Sequence, residues 1–335
     1  MTRNLIGTLL ALGAVLGLAA CDQKPSTAGS TRKELTFSIL PAESQANMQQ
    51  MWQPLIDDMS ASIGIKVKPF FATNYTSLVE AMRFNQIQAG WFSADPALEA
   101  VNRSNGEVLG RVVDAGGEAS YESVLIARKG AGITVEKVLA CGKKYNFGIG
   151  DSTSTSGTLA PMTYLFDPKG IELTNCFKTV RSAQHQANFL SVATGVLDVA
   201  TNNTVGLAFY KDERPDLAAK IEIVWKSPPL PESSVLVRKD VDPALKEKIR
   251  QFFLTYGTGT GPQADKQRAI LKRLKYGGFR PADNSYLDPV REMKAAGVLA
   301  DAKKGGDKAK IAAAQAAFDK IRAANAQTRA AHPDV

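Results

Sequence analysis

The chain has 335 residues, 44% of them hydrophobic, and a formal net charge of +8. That length and apolar fraction allow a sizeable core divided over about two domains. The excess charge is modest, and its lysine-rich places, Lys143-Lys144 and Lys303 to Lys310, are not interleaved with aromatic residues, which argues against a nucleic-acid-binding surface.

Residues 1–20 read as an export signal. Arg3 supplies a short positive region, Leu5 to Leu18 is an apolar or small-residue run, and the run ends in Leu18-Ala19-Ala20-Cys21. So short a run with small residues at its end marks a leader rather than a membrane span. Its end resembles the bacterial lipobox, which implies that a lipidated Cys21 holds the mature protein at a membrane surface without a spanning helix. Asp22 resembles the residue that keeps such lipoproteins on the inner membrane. A plain signal peptide with an incidental cysteine is the alternative. Residues 21–34 are polar and small and read as a tether.

Without the leader, Cys141 and Cys176 remain. Outside the cytoplasm such a pair favours a disulfide, with two buried free thiols as the alternative. There is no CxxC and the only histidines are His185 and His332, so no metal centre or cofactor is expected.

Leu35 to Leu40 is a predicted strand. Ser44 to Ile63 follows as an amphipathic helix with Met48, Trp52, Leu55, Ile56 and Met59 on one face and a kink expected at Pro54. Ile65 to Phe71, Gln88 to Phe92 and Glu107 to Val113 are further strands, with helices capped by Asn74 and opened by Pro96 between them. This alternation predicts a mostly parallel sheet with right-handed crossovers. Gly116-Gly117 interrupts it, and Tyr121 to Arg128 is extended. A second series follows: strands over Tyr145 to Ile149, Phe177 to Arg181, Val196 to Thr201 and Ile221 to Trp225, with helices after Gly157 and from His185 to Thr194. Pro228-Pro229-Leu230-Pro231 marks another crossing, Ser233 to Val237 is extended, and the remainder reads as helical. The simplest arrangement is α/β, with two lobes joined by two extended crossings and a ligand cleft between them. Near the C-terminus Ile311, Ala314, Phe318 and Ile321 form a thin apolar stripe that either packs on the body or pairs with another copy.

One stretch bears the chemistry. Phe147 to Ile149 passes through Gly148 and Gly150 into Asp151-Ser152-Thr153-Ser154-Thr155-Ser156-Gly157, followed by a helical pattern. Hydroxyls and glycines at a helix N-terminus can hold a small oxyanion, although a plain capped turn would look the same. Ser154, Thr155 and Ser156 are the candidate hydroxyls. His185 opens the next helix and can donate to an oxyanion in either protonation state. Thr201-Asn202-Asn203-Thr204 ends a strand at the same edge, as a polar loop. In the first lobe Asn74-Tyr75 and Trp91-Phe92 end their strands at the corresponding edge, with Trp91 expected in the core. No G-x-S-x-G elbow and no acidic partner for His185 are apparent, so a hydrolase is disfavoured.

In order along the chain, Glu43-Ser44-Gln45, Phe84-Asn85, Gly150-Asp151 with Ser154-Thr155-Ser156-Gly157, His185, Asp198 to Thr204, and Val224 to Pro228 resemble the phosphate/phosphite/phosphonate-binding proteins of ABC importers, most closely the periplasmic phosphonate-binding family. The resemblance spans about Leu35 to Pro289. It implies a two-lobed type II periplasmic binding protein that closes on a small phosphonate or phosphite and hands it to an inner-membrane ABC permease, without catalysis. The lobes would comprise 35–119 plus 228–300 and 120–227, with 301–335 a helical tail. The implied ligand-binding residues are Tyr75, Phe92, Ser154, Thr155, Ser156 and His185. Val205 and Ser233 stand where the aminoalkylphosphonate binder has acidic residues, with Glu232 adjacent to the second. This implies a less acidic cleft and a weaker preference for aminoethylphosphonate than for phosphite or methylphosphonate. An exported Ser/His hydrolase and a sensor subunit of the same fold are the alternatives.

Overall fold

The computed structural model describes residues 33–331, so the expected leader and Cys21 lie outside the described residues. The first lobe begins as the sequence predicts: β1 (Glu34–Ile39), α1 (Gln45–Ile63), β2 (Lys66–Phe71), α2 (Tyr75–Arg83), β3 (Ala89–Phe92), α3 (Ala94–Arg103) and β4 (Gly106–Val113). The Ser44 hydroxyl caps α1 at Asn47 N–H, and Gly64 ends it in the left-handed region at φ 76°. Pro54 lies inside α1, which continues to Ile63. Asn74 and Ser77 form a reciprocal capping box on α2.

The second lobe follows with β5 (Ser120–Tyr121), β6 (Ser123–Arg128), α4 (Val135–Leu139), β7 (Asn146–Ile149), α5 (Leu173–Cys176), β8 (Thr179–Ser182), α6 (His185–Thr194), β9 (Val199–Asn203), α7 (Thr204–Glu213), α8 (Pro215–Ala218) and β10 (Ile221–Lys226). The chain then returns through β11 (Leu230–Pro231), β12 (Ser234–Arg238), α9 (Pro243–Thr255), α10 (Pro262–Arg273), β13 (Gly278–Pro281), α11 (Asp288–Gly305) and α12 (Lys308–Ala331).

Two large sheets result, ordered β13-β4-β12-β3-β1-β2 and β10-β6-β9-β7-β8, beside a two-stranded sheet of β11 and β5. The expectation of a mostly parallel first sheet is corrected. β1 pairs in parallel with β2 and β3, but β12 returns from the other lobe and inserts antiparallel between β3 and β4. β13, not anticipated, adds an antiparallel edge on β4; its Gly-Phe-Arg-Pro sequence carries no alternation to announce it. The two crossings are joined to each other, because β5 and β11 pair antiparallel, Tyr121 opposite Leu230.

The first lobe buries one continuous core around Phe37, Trp52, Trp91 and Phe253. In the second, β6 alternates: Leu125 and Ala127 pack with Phe147, Phe166 and Phe177, while Val124 and Ile126 pack on the other face with Phe189 and Tyr210. Cys141 and Cys176 are joined in a disulfide at one edge of this lobe. α12, which carries the half-buried C-terminal stripe, lies against α11, and Asn325 Nδ2 donates to the Asp288 carbonyl at 2.7 Å. Among the described residues, no helix is long and apolar enough to cross a membrane.

Candidate functional site

The hydroxyl-rich stretch does turn a strand end into a helix start, and its glycines explain how tightly. A Cβ on Gly150 would fall 2.5 Å from Gly157 Cα, and one on Gly157 would fall 2.7 Å from Ser154 Oγ. Only glycine permits that approach, which is closed by a 2.9 Å bond from Gly150 N–H to the Gly157 carbonyl. The helix that follows is wide: residues Thr155–Leu159 and Met162–Phe166 are π-helical turns rather than the ordinary helix the periodicity suggests. Such turns often mark functional sites, where the extra residue redirects side chains. Ser154 caps the first turn, its Oγ accepting Gly157 N–H at 3.0 Å, and Ser123 Oγ fixes the backbone by donating to the Ser156 carbonyl at 2.6 Å.

His185 is the first residue of α6 and is buried. Its Nε2 lies 3.4 Å from both Ser154 Oγ and Ser156 Oγ, and its Nδ1 has no protein partner. Burial pushes its pKa down to about 4, against the opposing pull of Asp151, so the ring is neutral at neutral pH. No carboxylate orients the ring as a nucleophilic triad would require. Asn202 holds the backbone here, Nδ2 donating to the His185 carbonyl at 2.9 Å. Asn203 is not in a loop: its Oδ1 caps α7 at Gly206 N–H, 2.7 Å away. The polar run Thr201 to Thr204 is expected as a loop facing the cleft because Asn and Thr favour turns; Asn203 does line the cavity, while the Asn202 and Asn203 side chains also serve a neighbouring backbone and a helix cap.

Tyr75, Ser154, Ser156 and His185 are brought together on the wall of one cavity of about 90 Å³ between the lobes, room for a few water-sized groups. Burial pushes the hydroxyl pKa values of Tyr75 and Tyr121 up, so both remain neutral donors. Tyr121, from β5, lines the same cavity beside the Ser156 and Thr155 hydroxyls, and the sequence reading missed it because a lone tyrosine in a crossing strand carries no pattern.

Thr155 and Phe92 are not on the wall. Thr155 is buried, and its Oγ1 accepts Asp95 N–H from the other lobe at 2.8 Å. Phe92 is fully buried, its ring turned over Gly90. Trp91 is buried in the core, as expected, and its ring also lines the cavity, because successive strand residues face opposite sides and only one ring of the pair can reach the cleft. It packs with Trp52 and Tyr276, ring centroids 5.1 and 6.4 Å away, as an aromatic wall. Its Nε1 and the Ser93 hydroxyl have no protein partner.

Val205 and Ser233 line the cavity, but so do the carboxyl groups of Glu43 and Glu232. Burial raises both pKa values, that of Glu43 to about 8.

Three lobe-one helix N-termini meet lobe two. Ser44 N–H donates to Gln186 Oε1 at 3.0 Å, Tyr75 N–H to Asp151 Oδ2 at 3.2 Å, and Asp95 N–H to Thr155. These are the free donors that a helix start leaves over, each capped from the opposite lobe.

A family profile described as the phosphonate periplasmic substrate-binding protein of an ABC transporter matches residues 37–287. The phosphonates-binding periplasmic protein of Escherichia coli is 37% identical over 270 residues, 80% of this chain and 78% of that protein. The crystal structure of a binding-protein component of a Pseudomonas aeruginosa ABC phosphonate transporter superposes with a TM-score of 0.83 at 32% identity, covering 88% of this chain and 99% of that one. A Prochlorococcus marinus binding protein solved in complex with methylphosphonate shares the fold at a TM-score of 0.69 and 18% identity, covering 78% of this chain and 97% of that one. The chain belongs to the periplasmic phosphonate-binding proteins of ABC transporters, a two-lobed α/β family that binds substrate and performs no catalysis.

Proposed function

We propose that this protein captures a small phosphorus oxyanion, a phosphonate, methylphosphonate or phosphite, and delivers it to an ABC permease in the inner membrane. The observation that carries this reading is the convergence of Tyr75 from one lobe with Ser154, Ser156 and His185 from the other on one small cavity. All four can donate to oxyanion oxygens without bringing a fixed positive charge. Tyr121 joins them. Thr155 acts by holding the lobes together, and the cleft aromatic is Trp91 rather than Phe92.

The aromatic wall of Trp52, Trp91 and Tyr276 covers the hydrogen or alkyl substituent. An ammonium substituent would need an ionised counter-charge, and burial biases both Glu43 and Glu232 toward the neutral form. Phosphite and methylphosphonate are therefore the preferred ligands over aminoethylphosphonate. Lipidated Cys21 holds the protein at the membrane beside its permease; incorporation of labelled fatty acid that Cys21→Ser fails to abolish would refute the anchor.

The deciding experiment is a thermal-shift and calorimetry panel of phosphate, phosphite, hypophosphite, methylphosphonate, aminoethylphosphonate and sulfate. A ligand at a hundredfold excess over its Kd stabilises the native state by about 2.7 kcal/mol, which is readily seen. Phosphite or methylphosphonate should give the largest shift. A larger shift with aminoethylphosphonate would overturn the ligand preference, and no shift with any of the phosphorus oxyanions would overturn the function.

A further inference from the structure

Glu43, in the loop between β1 and α1, is more than nine-tenths buried in the wall of the cavity. Its Oε1 accepts the hydroxyl of Tyr210, which comes from α7 in the opposite lobe. Its Oε2 meets no donor or acceptor of the protein. A carboxylate in that place would leave an uncompensated charge beside an oxyanion of the same sign, which is costly in a buried site. A carboxylic acid would instead use both oxygens, one accepting from Tyr210 and one donating.

We propose that Glu43 enters the closed cleft as a neutral acid whose O–H donates to the bound oxyanion, so that closure on ligand takes up one proton from solution. The proposal rests on the oxyanion-binding function given above. The proton stays on Glu43 and no covalent bond is made or broken beyond its protonation.

The cause of the uptake is burial between lobes. Separating them breaks the Tyr210 contact and returns Glu43 to the ordinary carboxylate value of 4.5, whereas the closed cleft raises it to about 8. The closed form thus binds one more proton than the open form between those two values. Its advantage from Glu43 falls by up to about tenfold per pH unit across that window, and levels off above it.

The other titratable groups around the cavity can be separated from this effect. The hydroxyls of Tyr75, Tyr121, Tyr210 and Tyr276 are pushed up by burial and stay neutral. His185 is pushed down to about 4 and changes charge on closure only below its ordinary 6.5. Lys275 is ion-paired with Asp212 across the cleft. Glu232 is raised too, but its Oε1 already accepts both the backbone N–H and the hydroxyl of Ser233, at 2.7 and 2.9 Å.

The test is calorimetry with phosphite at about pH 7.5 in buffers of differing ionisation enthalpy, which counts protons taken up on binding. Glu43→Gln keeps a donor but cannot titrate, so subtracting its value from that of the wild-type protein removes the proton changes of the ligand and of His185. The expected difference is most of one proton, and Glu232→Gln should not produce it. Tyr210→Phe, which deletes the hydroxyl that lowers the Glu43 value, should carry the uptake to higher pH. Equal uptake in wild-type and Glu43→Gln proteins would overturn the proposal while leaving oxyanion binding intact. Failure of the wild-type protein to bind any phosphorus oxyanion would overturn the function itself, and this inference with it.

Discussion

Ser154 and Thr155 are neighbours with different duties. The Ser154 hydroxyl caps its own turn and stands 3.4 Å from His185 on the cavity wall, whereas Thr155 Oγ1 is spent on Asp95 N–H in the other lobe. Loss of a hydrogen bond to a charged ligand costs about 1.5–3 kcal/mol, so Ser154→Ala should weaken phosphite binding roughly 10- to 100-fold. Thr155→Ala should weaken it through closure, with a larger fraction of open molecules in small-angle scattering; calorimetry and scattering together distinguish the two. His185 makes a prediction about pH. Its folded value, about 4, lies below the ordinary 6.5, so the stability it contributes is full above pH 6.5 and is lost as pH falls toward 4. His185→Gln should therefore flatten the thermal-melt profile in that window, by up to roughly 1.4 kcal/mol per pH unit. Parallel profiles of variant and wild-type protein would show that burial of the ring carries no such cost. All of this was only half legible in the sequence. Ser154, Ser156 and His185 stood out as hydroxyls and an imidazole at helix starts, but nothing local told Thr155 from its neighbours.

At the scale of single elements, most of the secondary structure followed from local rules. The cap at Asn74 and the apolar spacing along α1 sit where the sequence places them. The misses share a cause. β13 and α7 are held by what they pack on, since neither has a periodicity of its own that outweighs its turn-forming residues. The π-helical turns after Ser154 likewise depend on the strand-to-helix corner, where Gly150 and Gly157 touch. Gly150→Ala should cost about 1–3 kcal/mol by overpacking that corner and should lower affinity as well, because Ser154 and Ser156 move with it. Wild-type affinity in this variant would show that the corner yields without displacing the hydroxyls. The disulfide spans 35 residues of sequence, and by loop-closure entropy its reduction should lower stability by about 3–4 kcal/mol in denaturant titrations.

In the whole molecule, binding depends on how the lobes meet. Helix N-termini at Ser44, Tyr75 and Asp95 each donate across the cleft, to Gln186, Asp151 and Thr155. Asp151→Ala removes one such acceptor, which also takes Thr153 N–H at 3.0 Å. It should shift ligand-free molecules toward open ones in scattering and weaken binding without removing a cavity-wall group. Because Trp52 and Trp91 line the cavity, ligand should change intrinsic fluorescence, and Trp91→Phe should remove most of that change. The two α/β series, the two crossings and the hydroxyl-rich turn were determined by the sequence alone, because each depends on composition or on residues close together in the chain. The sequence could not say which ring of Trp91 and Phe92 faces the cleft, that β12 enters the first sheet antiparallel, or that Glu43 and Tyr210 meet across the lobes. These the tertiary structure decided, because strand facing, sheet order and lobe closure are settled by partners more than a hundred residues away in the chain.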